Sequence, residues 1–429
     1  MIGSTPDYAD YHAHLDTLLR AALRAADPAE AVRRHWPTAE LVDADRVFVI
    51  GAGKAGVKMA EATATLLGPR LAAGAIAVPH SSSSVLPPHF SLIPSGHPIP
   101  DSGSLRAGEA MAELLADTTD RDVVLALISG GGSALMELPV PGVTLRELQS
   151  LTDQLLRSGA TINELNCIRK HLSRIKGGGL ARLAFPARVI TLILSDVIGD
   201  PLDVIASGPA APDSTTIDDA HAILNRYNIH SDLAASGLQS RFMETPKPGD
   251  PIFARVTTRL IGSNSLAREA AAQAAQSLGF TVELPDQVVQ GEAREWGMAL
   301  ATEFALRHAC SSLRAIIYGG ETTVTVRGNG VGGRNQELAL GAAIALDGAS
   351  QKIVIASFGT DGVDGPTAAA GATATPESVR RARALGLDPA AMLESNDSHS
   401  FFAALGDCIM TGPTGTNVND LVIVLVYPN

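Results

Sequence analysis

Leu15, Leu18, Leu19, Ala22 and Leu23 recur at i, i+3, i+4, i+7 and i+8, which predicts an opening helix with one buried stripe. Further on the pattern changes. Short runs of β-branched and aliphatic residues at 46–50, 75–78, 122–128 and 188–194 each give way to a glycine- or serine-rich turn and then a helical pattern. Apolar runs that do not alternate belong to strands covered on both faces, so this order predicts a parallel sheet between helices. Leu105, Met111, Leu114 and Leu115 mark one such helix, and Thr161 with Glu164 has the spacing of a capping box that opens another.

Around 244–251 the chain reads ETPKPGDP, where proline and glycine break regular structure. The expected domain boundary lies there, giving domains 1–248 and 249–429. The second domain again alternates, with strand-like runs at 253–261, 280–284, 314–318, 322–327, 352–358 and 421–427, so it too is expected to be α/β. Ser81 to Ser84 reads as a mobile turn.

A chain of 429 residues suits two domains, and 45% apolar with 18% charged residues excludes a disordered protein. Lys plus Arg number 33 against 45 Asp plus Glu, so 33 − 45 = −12, which argues against nucleic acid or anionic membrane as a partner. The longest apolar runs fall far short of the ~20 residues of a membrane helix, and Met1 to His14 lacks the pattern of a secretory signal. A cytoplasmic protein is expected. Cys167, Cys310 and Cys408 lie too far apart for a disulfide framework or a paired-cysteine zinc site and are read as reduced and structural.

The loop Gly51-Ala52-Gly53-Lys54-Ala55-Gly56 follows a strand and opens a helix, so backbone N–H groups and a positive helix end converge where an anion could sit. It is formally G-x-G-x-x-G. A dinucleotide site would also place an acid at the end of the next strand, but there the sequence has Pro79-His80-Ser81. Lys54 is also misplaced for a phosphate loop of the G-x-x-x-x-G-K type. Ser129-Gly130-Gly131-Gly132-Ser133 is a second strand-end loop into which oxygen anions could approach the backbone. Asp196, in Ser195-Asp196, stands at a strand's carboxyl end, where open α/β sheets bind ligands. Its rival role is to cap a turn.

Helical spacing puts Asn166, Arg169, Lys170 and Ser173 on one face, a local basic patch suited to an anion or simply to water. In the second half, Gly319-Gly320-Glu321-Thr322 separates two expected strands, and Arg334 opens a helix after a glycine-rich loop. A cation at a positive helix end calls either for an anionic ligand or for a salt bridge to Glu321 or Glu337. Thr360-Asp361-Gly362-Val363-Asp364-Gly365 sets carboxylates at a strand end, where magnesium on phosphates needs one or two, with a plain Asp-Gly turn as the rival reading. Asn417, in a late glycine-rich turn, could orient a hydroxyl or a nucleotide. His97, in Ser95-Gly96-His97-Pro98, is a base or ligand candidate whose commoner role is structural. Neither a Gly-x-Ser-x-Gly elbow nor a His-Glu-x-x-His helix occurs.

Taken in order, Gly51-Ala52-Gly53-Lys54-Ala55, Ser129-Gly130-Gly131-Gly132-Ser133-Ala134, Arg169-Lys170-His171-Leu172-Ser173, Leu194-Ser195-Asp196-Val197-Ile198-Gly199-Asp200 and Gly332-Gly333-Arg334-Asn335-Gln336-Glu337 resemble the glycerate 2-kinase family. The N-terminal half resembles that family's larger domain, and 319–417 its MOFRL domain. The resemblance implies a Rossmann-like N-terminal α/β domain with helices on both faces of a parallel sheet, a second α/β domain, and an active site in the cleft between them. It also implies ATP-dependent phosphorylation of D-glycerate at the 2-hydroxyl, with a divalent cation, Mg²⁺ by default. A homodimer is compatible with it. Phosphoryl transfer needs seats for negative oxygens, charge neutralisation and an oriented hydroxyl. The expected catalytic residues are Lys54, Arg334 and Asp196. Gly51, Gly53, Ser129, Gly131, Gly132, Ser133, Arg169, Lys170, Glu321 and Asn417 are expected to hold substrate or phosphate, and Asp361 and Asp196 the metal. The alternatives are an NAD(P)H-dependent hydroxypyruvate reductase, a name that similar proteins also carry, and a non-catalytic sensor of nucleotide or glycerate.

Overall fold

Two sheets organise the computed structural model of the chain, which describes residues 7–82, 84–229, 237–306 and 312–428. Cys310 and Ser83, on which two sequence expectations rest, lie outside the described residues. Cys167 and Cys408 are free thiols.

The first sheet comprises β1 (Val47–Ala52), β2 (Leu71–Pro79), β3 (Phe90–Ser95), β4 (Val123–Ser129), β5 (Arg188–Leu194) and β6 (Val256–Gly262), in the order β3-β2-β1-β4-β5-β6. The pairs among β1 to β5 are all parallel. Every residue of β1 and β4 is buried, as the unbroken apolar runs require when helices cover both faces. Phe48, Ile50, Val124, Ala126 and Ile128 pack with Met111, Leu115 and Leu180 from the helices. The chain leaves β1 toward β2 and β3, then returns to β4 on β1's other side. That reversal makes a topological switch point, and open α/β sheets place ligands just outside the strand ends there.

The second sheet adds β7 (Thr281–Glu283), β8 (Val289–Glu292), β9 (Arg314–Thr323), β10 (Lys352–Gly359), β11 (Gly371–Ala374), β12 (Cys408–Ile409) and β13 (Asp420–Tyr427), ordered β12-β11-β10-β13-β9-β7 with β8 also on β9. It is mixed: β7 and β8 run parallel to β9, whereas β10, β11 and β13 form antiparallel pairs. One expectation fails here. β9 runs unbroken through Gly319-Gly320-Glu321, because backbone pairing with β13 on one edge and β8 on the other holds the glycines extended. The strand expected at 322–327 accordingly ends at Thr323.

The compact units also part differently from the expected 248/249 boundary. One is Pro28–Ile261, because β6, read as the start of the second domain, joins the first sheet. The opening helix Tyr11–Ala26 goes with the other unit, which resumes at Gly262. It buries Leu15, Leu18 and Ala22, His14 Nδ1 meets the Tyr427 hydroxyl at 2.8 Å, and Thr416 Oγ1 donates to the Ala26 carbonyl at 2.7 Å. Local pattern predicted the helix correctly but carried no information on which core its stripe would fill.

Candidate active site

In the unit Pro28–Ile261, the loops after β1, β3, β4 and β5 gather at one end of the sheet. Gly53 shows why glycine is required: its φ is +149°, and a Cβ there would stand 1.9 Å from Ser129 Oγ. With nothing intervening, Ser129 Oγ accepts the Ala55 N–H at 3.1 Å and the Lys54 N–H reaches the Gly130 carbonyl at 2.9 Å. The two expected loops are thereby tied into one surface. The Lys54 side chain is exposed and has no hydrogen-bond or ion-pair partner among the described residues.

Gly131, at φ +81°, opens the turn after β4. A Cβ built on it would lie 2.9 Å from His97 Cδ2, 3.0 Å from His97 Nε2 and 3.5 Å from Lys54 Cε. A Cβ on Gly130 would overlap Asp196, 2.0 Å from its Oδ2. Lys54, His97 and Asp196, from three different strand ends, therefore close on two consecutive residues of the glycine loop.

A hydrogen-bonded chain extends that surface. Ser133 Oγ and Ser207 Oγ are 2.8 Å apart, and Ser207 Oγ donates to Asn166 Oδ1 at 2.9 Å. Ser207 and its neighbour Ala206 both have left-handed backbones, φ +59° and +50°, a conformation that costs non-glycine residues and needs support. Gly177 supplies some by donating its N–H to the Ser207 carbonyl at 2.9 Å. Asn166 lies in the helix Ile162–His171, and Arg169 follows it by one turn on the same face. Arg169 is largely withdrawn from water yet has no hydrogen-bond or ion-pair partner among the described residues. Desolvation lowers its pKa, opposed by the charge of Glu137. A guanidinium so placed is able to pair with an anionic ligand.

Lys170 departs from expectation. It is buried, with Nζ 3.2 Å from Asp213 and 3.5 Å from Asp203, so its charge is answered inside the fold. Lys176 is likewise internal, 2.5 Å from Glu137 Oε2 and 3.1 Å from the Met136 carbonyl. Burial in the helix turned Lys170 inward, which i, i+3 spacing alone could not reveal.

In the other unit Arg334 is the first residue of the helix Arg334–Ala345, as expected, but its charge is already met. Nε donates to Asp420 Oδ2 at 2.5 Å, Nη2 to Asp420 Oδ1 at 3.0 Å, and Nη1 lies 2.9 Å from Glu321 Oε1. Of the two alternatives, the salt bridge is present in the fold. Of the two acids proposed for a salt bridge, Glu321 is right and Glu337 is not, since Glu337 pairs with Arg294 at 2.7 Å. Asp420, the first residue of β13, has no sequence signal beyond its place just before the apolar run 421–427. In register its strand neighbours are Gly320 and Gly359. Burial pushes the Asp420 carboxyl up to about 6 against the pull of Arg334, so it is still ionised at neutral pH. Desolvation works against the Arg334 charge, but the hydrogen bond and charge of Asp420 outweigh it and raise the guanidinium's pKa. The pair is ionic at neutral pH.

The helix end itself is capped by Asp364, whose carboxylate accepts the N–H groups of Asn335 and Gln336 at 3.0 and 2.9 Å. Asp361 uses Oδ1 on the Val363 N–H at 3.1 Å, and a Cβ on Gly359 would stand 3.0 Å from Asp361 Oδ1 and 3.4 Å from Asp420 Oδ1. Among the described residues no three His, Cys, Asp or Glu side chains cluster as a metal cage. A magnesium ion completed by phosphate oxygens and water needs only one or two carboxylates, so Asp361 or Asp196 fits that kind of site. Asn417 turns Oδ1 back onto the Asn419 N–H at 3.0 Å. Among the described residues no helix is long and apolar enough to cross a membrane.

Comparison with known proteins adds an independent line. Residues 14–240 match a family model described as a domain of unknown function (DUF4147), and residues 314–420 match the MOFRL family. The chain is 42% identical to a D-glycerate 2-kinase of Thermotoga maritima, covering 95% of this chain and 97% of that one. It is 41% identical to an Agrobacterium vitis protein provisionally named a hydroxypyruvate reductase, covering 96% and 94%. The crystal structure of a glycerate kinase from Thermotoga maritima superposes with a TM-score of 0.90 at 41% identity, over 98% of this chain and all of that one.

Proposed function

The chain belongs to the glycerate kinase family, and on that premise we propose that it transfers the γ-phosphoryl group of ATP to the 2-hydroxyl of D-glycerate, giving 2-phosphoglycerate and ADP. The observation that supports a phosphate and carboxylate site is the pair of cationic side chains without internal partners, Lys54 and Arg169, set around glycine loops at the switch point of a parallel sheet. Both substrates are anions. Phosphoryl transfer asks the protein mainly to position reactants and to answer negative charge, which such groups do.

In this reading Lys54 and the N–H groups of the Gly130 to Ser133 turn hold transferring or carboxylate oxygens, and Arg169 holds a second anionic group. Asp196, against Gly130, orients or deprotonates the acceptor hydroxyl. Arg334 serves the nucleotide, because its links to Asp420 and Glu321 fix the guanidinium while two of its five N–H groups stay available. Asp361 or Asp196 would hold magnesium. When bound, that ion would neutralise charge on the phosphate oxygens.

The reductase reading has a name in its favour and a geometric objection. β2 lies beside β1 in the order expected of a dinucleotide fold, yet it ends at Pro79 and is followed by His80, where a carboxylate would take the ribose hydroxyls. Phosphorus NMR of the protein with ATP, magnesium and D-glycerate tests the proposal. A glycerate-dependent 2-phosphoglycerate signal supports it. A 3-phosphoglycerate signal overturns the regiochemistry, and NADH oxidation by hydroxypyruvate without phosphoglycerate overturns the kinase.

A further inference from the structure

His97 sits in the turn after β3, two strands from the loop that carries Lys54, and its ring nonetheless reaches the glycine loop after β4. That reach is built. Asp101 Oδ1 accepts the N–H groups of Gly96, Gly103 and Ser104 at 2.9, 2.8 and 3.1 Å, which anchors the turn to the start of the next helix. His80 Nε2 closes on Asp101 Oδ2 at 2.7 Å. Burial pushes Asp101 up, but His80 and those backbone donors outweigh it and hold the carboxyl at about 2, so it is a fixed anion.

Several of the described histidines are engaged: His14 with Tyr427, His171 with the Cys167 carbonyl and Glu244, His399 with Gln336. His97 has no hydrogen-bond partner for either ring nitrogen among the described residues, and its Nε2 edge lies over Gly131, beside Lys54. An imidazole that no protein group engages, on the surface that gathers Lys54 and Asp196, is open to a bound substrate.

Resting on the kinase reading, we propose that His97 is the group that accepts the proton of the acceptor hydroxyl, with Asp196 confined to orienting it. With the ring proton on Nδ1, Nε2 presents a lone pair toward the loop. The hydroxyl O–H bond breaks and its proton passes to Nε2. The oxygen's electron pair forms the bond to the γ-phosphorus, and the bond from that phosphorus to the bridging oxygen breaks, its pair leaving on ADP. Charges around His97 favour the neutral ring. Partial burial lowers its pKa below the ordinary histidine value, and the neighbouring Lys54 charge lowers it further. Asp101 is taken up by His80 and the backbone, and Asp196 faces Gly130. Protonation at low pH removes the base, so turnover falls as pH drops through the His97 pKa.

The test is the pH dependence of kcat and of kcat/KM for D-glycerate at saturating ATP and magnesium, in wild type, His97→Gln, His97→Asn and Asp196→Asn. Expected are a wild-type acid limb below pH ~6.5, and loss of that limb with a fall in kcat of about 10²- to 10³-fold in both His97 variants. Thermal melting checks that each variant is folded, and two different amides guard against one disturbing the turn. Partial rescue of His97→Gly by added imidazole supports the proposal. It is overturned if the His97 variants keep kcat within about threefold of wild type, if their acid limb persists, or if the whole loss lies in KM. Wild type that makes no phosphoglycerate overturns the kinase reading itself, whereas active wild type with indifferent His97 variants overturns only the base.

Discussion

Arg334 and Asp420 form a two-point ion pair, Nε to Oδ2 at 2.5 Å and Nη2 to Oδ1 at 3.0 Å, in which the acid is buried and the base reaches solvent. Removing the base leaves an internal carboxylate without its cation. Arg334→Ala is therefore expected to cost about 3 kcal/mol at pH 8, the low end for a broken buried pair because the arginine is part-exposed. The sign with pH follows from Asp420. Its folded pKa of about 6 already exceeds the unfolded 3.8, so the native state binds an extra proton between these values and this group's contribution falls as pH rises through them. Without Arg334 the folded value climbs further. The deficit should then shrink between pH 8 and pH 5, and urea denaturation at both pH values would show it; an equal deficit at both refutes the account.

Lys54 and Arg169 should separate function from stability. Neither has an internal ion pair to lose, so Lys54→Ala is expected to change stability by less than ~0.5 kcal/mol, and Arg169→Met to be neutral or stabilising. Each should nonetheless lower kcat/KM by about 10²-fold or more, the usual effect of removing one preorganised group that answers transition-state charge. Steady-state assays beside thermal melts decide it. Near-wild-type turnover in a folded Lys54→Ala protein would refute its assignment.

Gly130→Ala probes the approach of Asp196 to the glycine loop. The added Cβ would start 2.0 Å from Asp196 Oδ2, so the carboxylate must move. Gly130 does not have a left-handed backbone, so the substitution adds little strain of its own. We expect a folded protein with kcat reduced at least tenfold, because displacing a positioning group by an ångström disturbs the reactive geometry. Full activity would mean that Asp196 plays no part in turnover.

Glu137 and Lys176 are a test of the scaffold beneath the site. Lys176 is fully enclosed, with its pKa lowered by burial against the pull of Glu137. Glu137→Ala leaves that ammonium unpaired and is expected to cost about 3 to 5 kcal/mol at pH 7. The unfolded lysine keeps its proton up to pH ~10.4 while the folded one gives it up earlier, so this variant's stability should rise as pH is taken from 7 to 9.5. Denaturant titrations that show no such rise would contradict a buried, unpaired Lys176.

Much of the fold and part of the site could be read without coordinates, for local reasons. Apolar runs too uniform for a half-buried strand marked β1, β4 and β5 as covered on both faces, and glycines directly after strands marked the loops between Gly51 and Ser133. Lys54, Asp196 and Arg334 were legible because each stands beside a strand or helix end. Whether a charged side chain is answered inside the fold was not legible. Arg169 and Lys170 are adjacent in sequence and share a helix, yet one lacks a partner and the other is held by Asp203 and Asp213, 33 and 43 residues away. Arg334 meets Asp420 across 86 residues, through the register of β13 between Gly320 and Gly359.

The sequence by itself determined what depends on neighbours along the chain: the alternation of strand and helix, the glycine turns, and the ordered motifs of the glycerate kinase family. Tertiary structure alone decided three other things. It carried the opening helix to the unit that ends the chain, kept β6 in the first sheet, and brought His97 over Gly131. The reason is physical. A hydrophobic stripe or an unpaired donor states what it needs, burial or a partner, but only the packed chain supplies the particular surface or atom that meets the need.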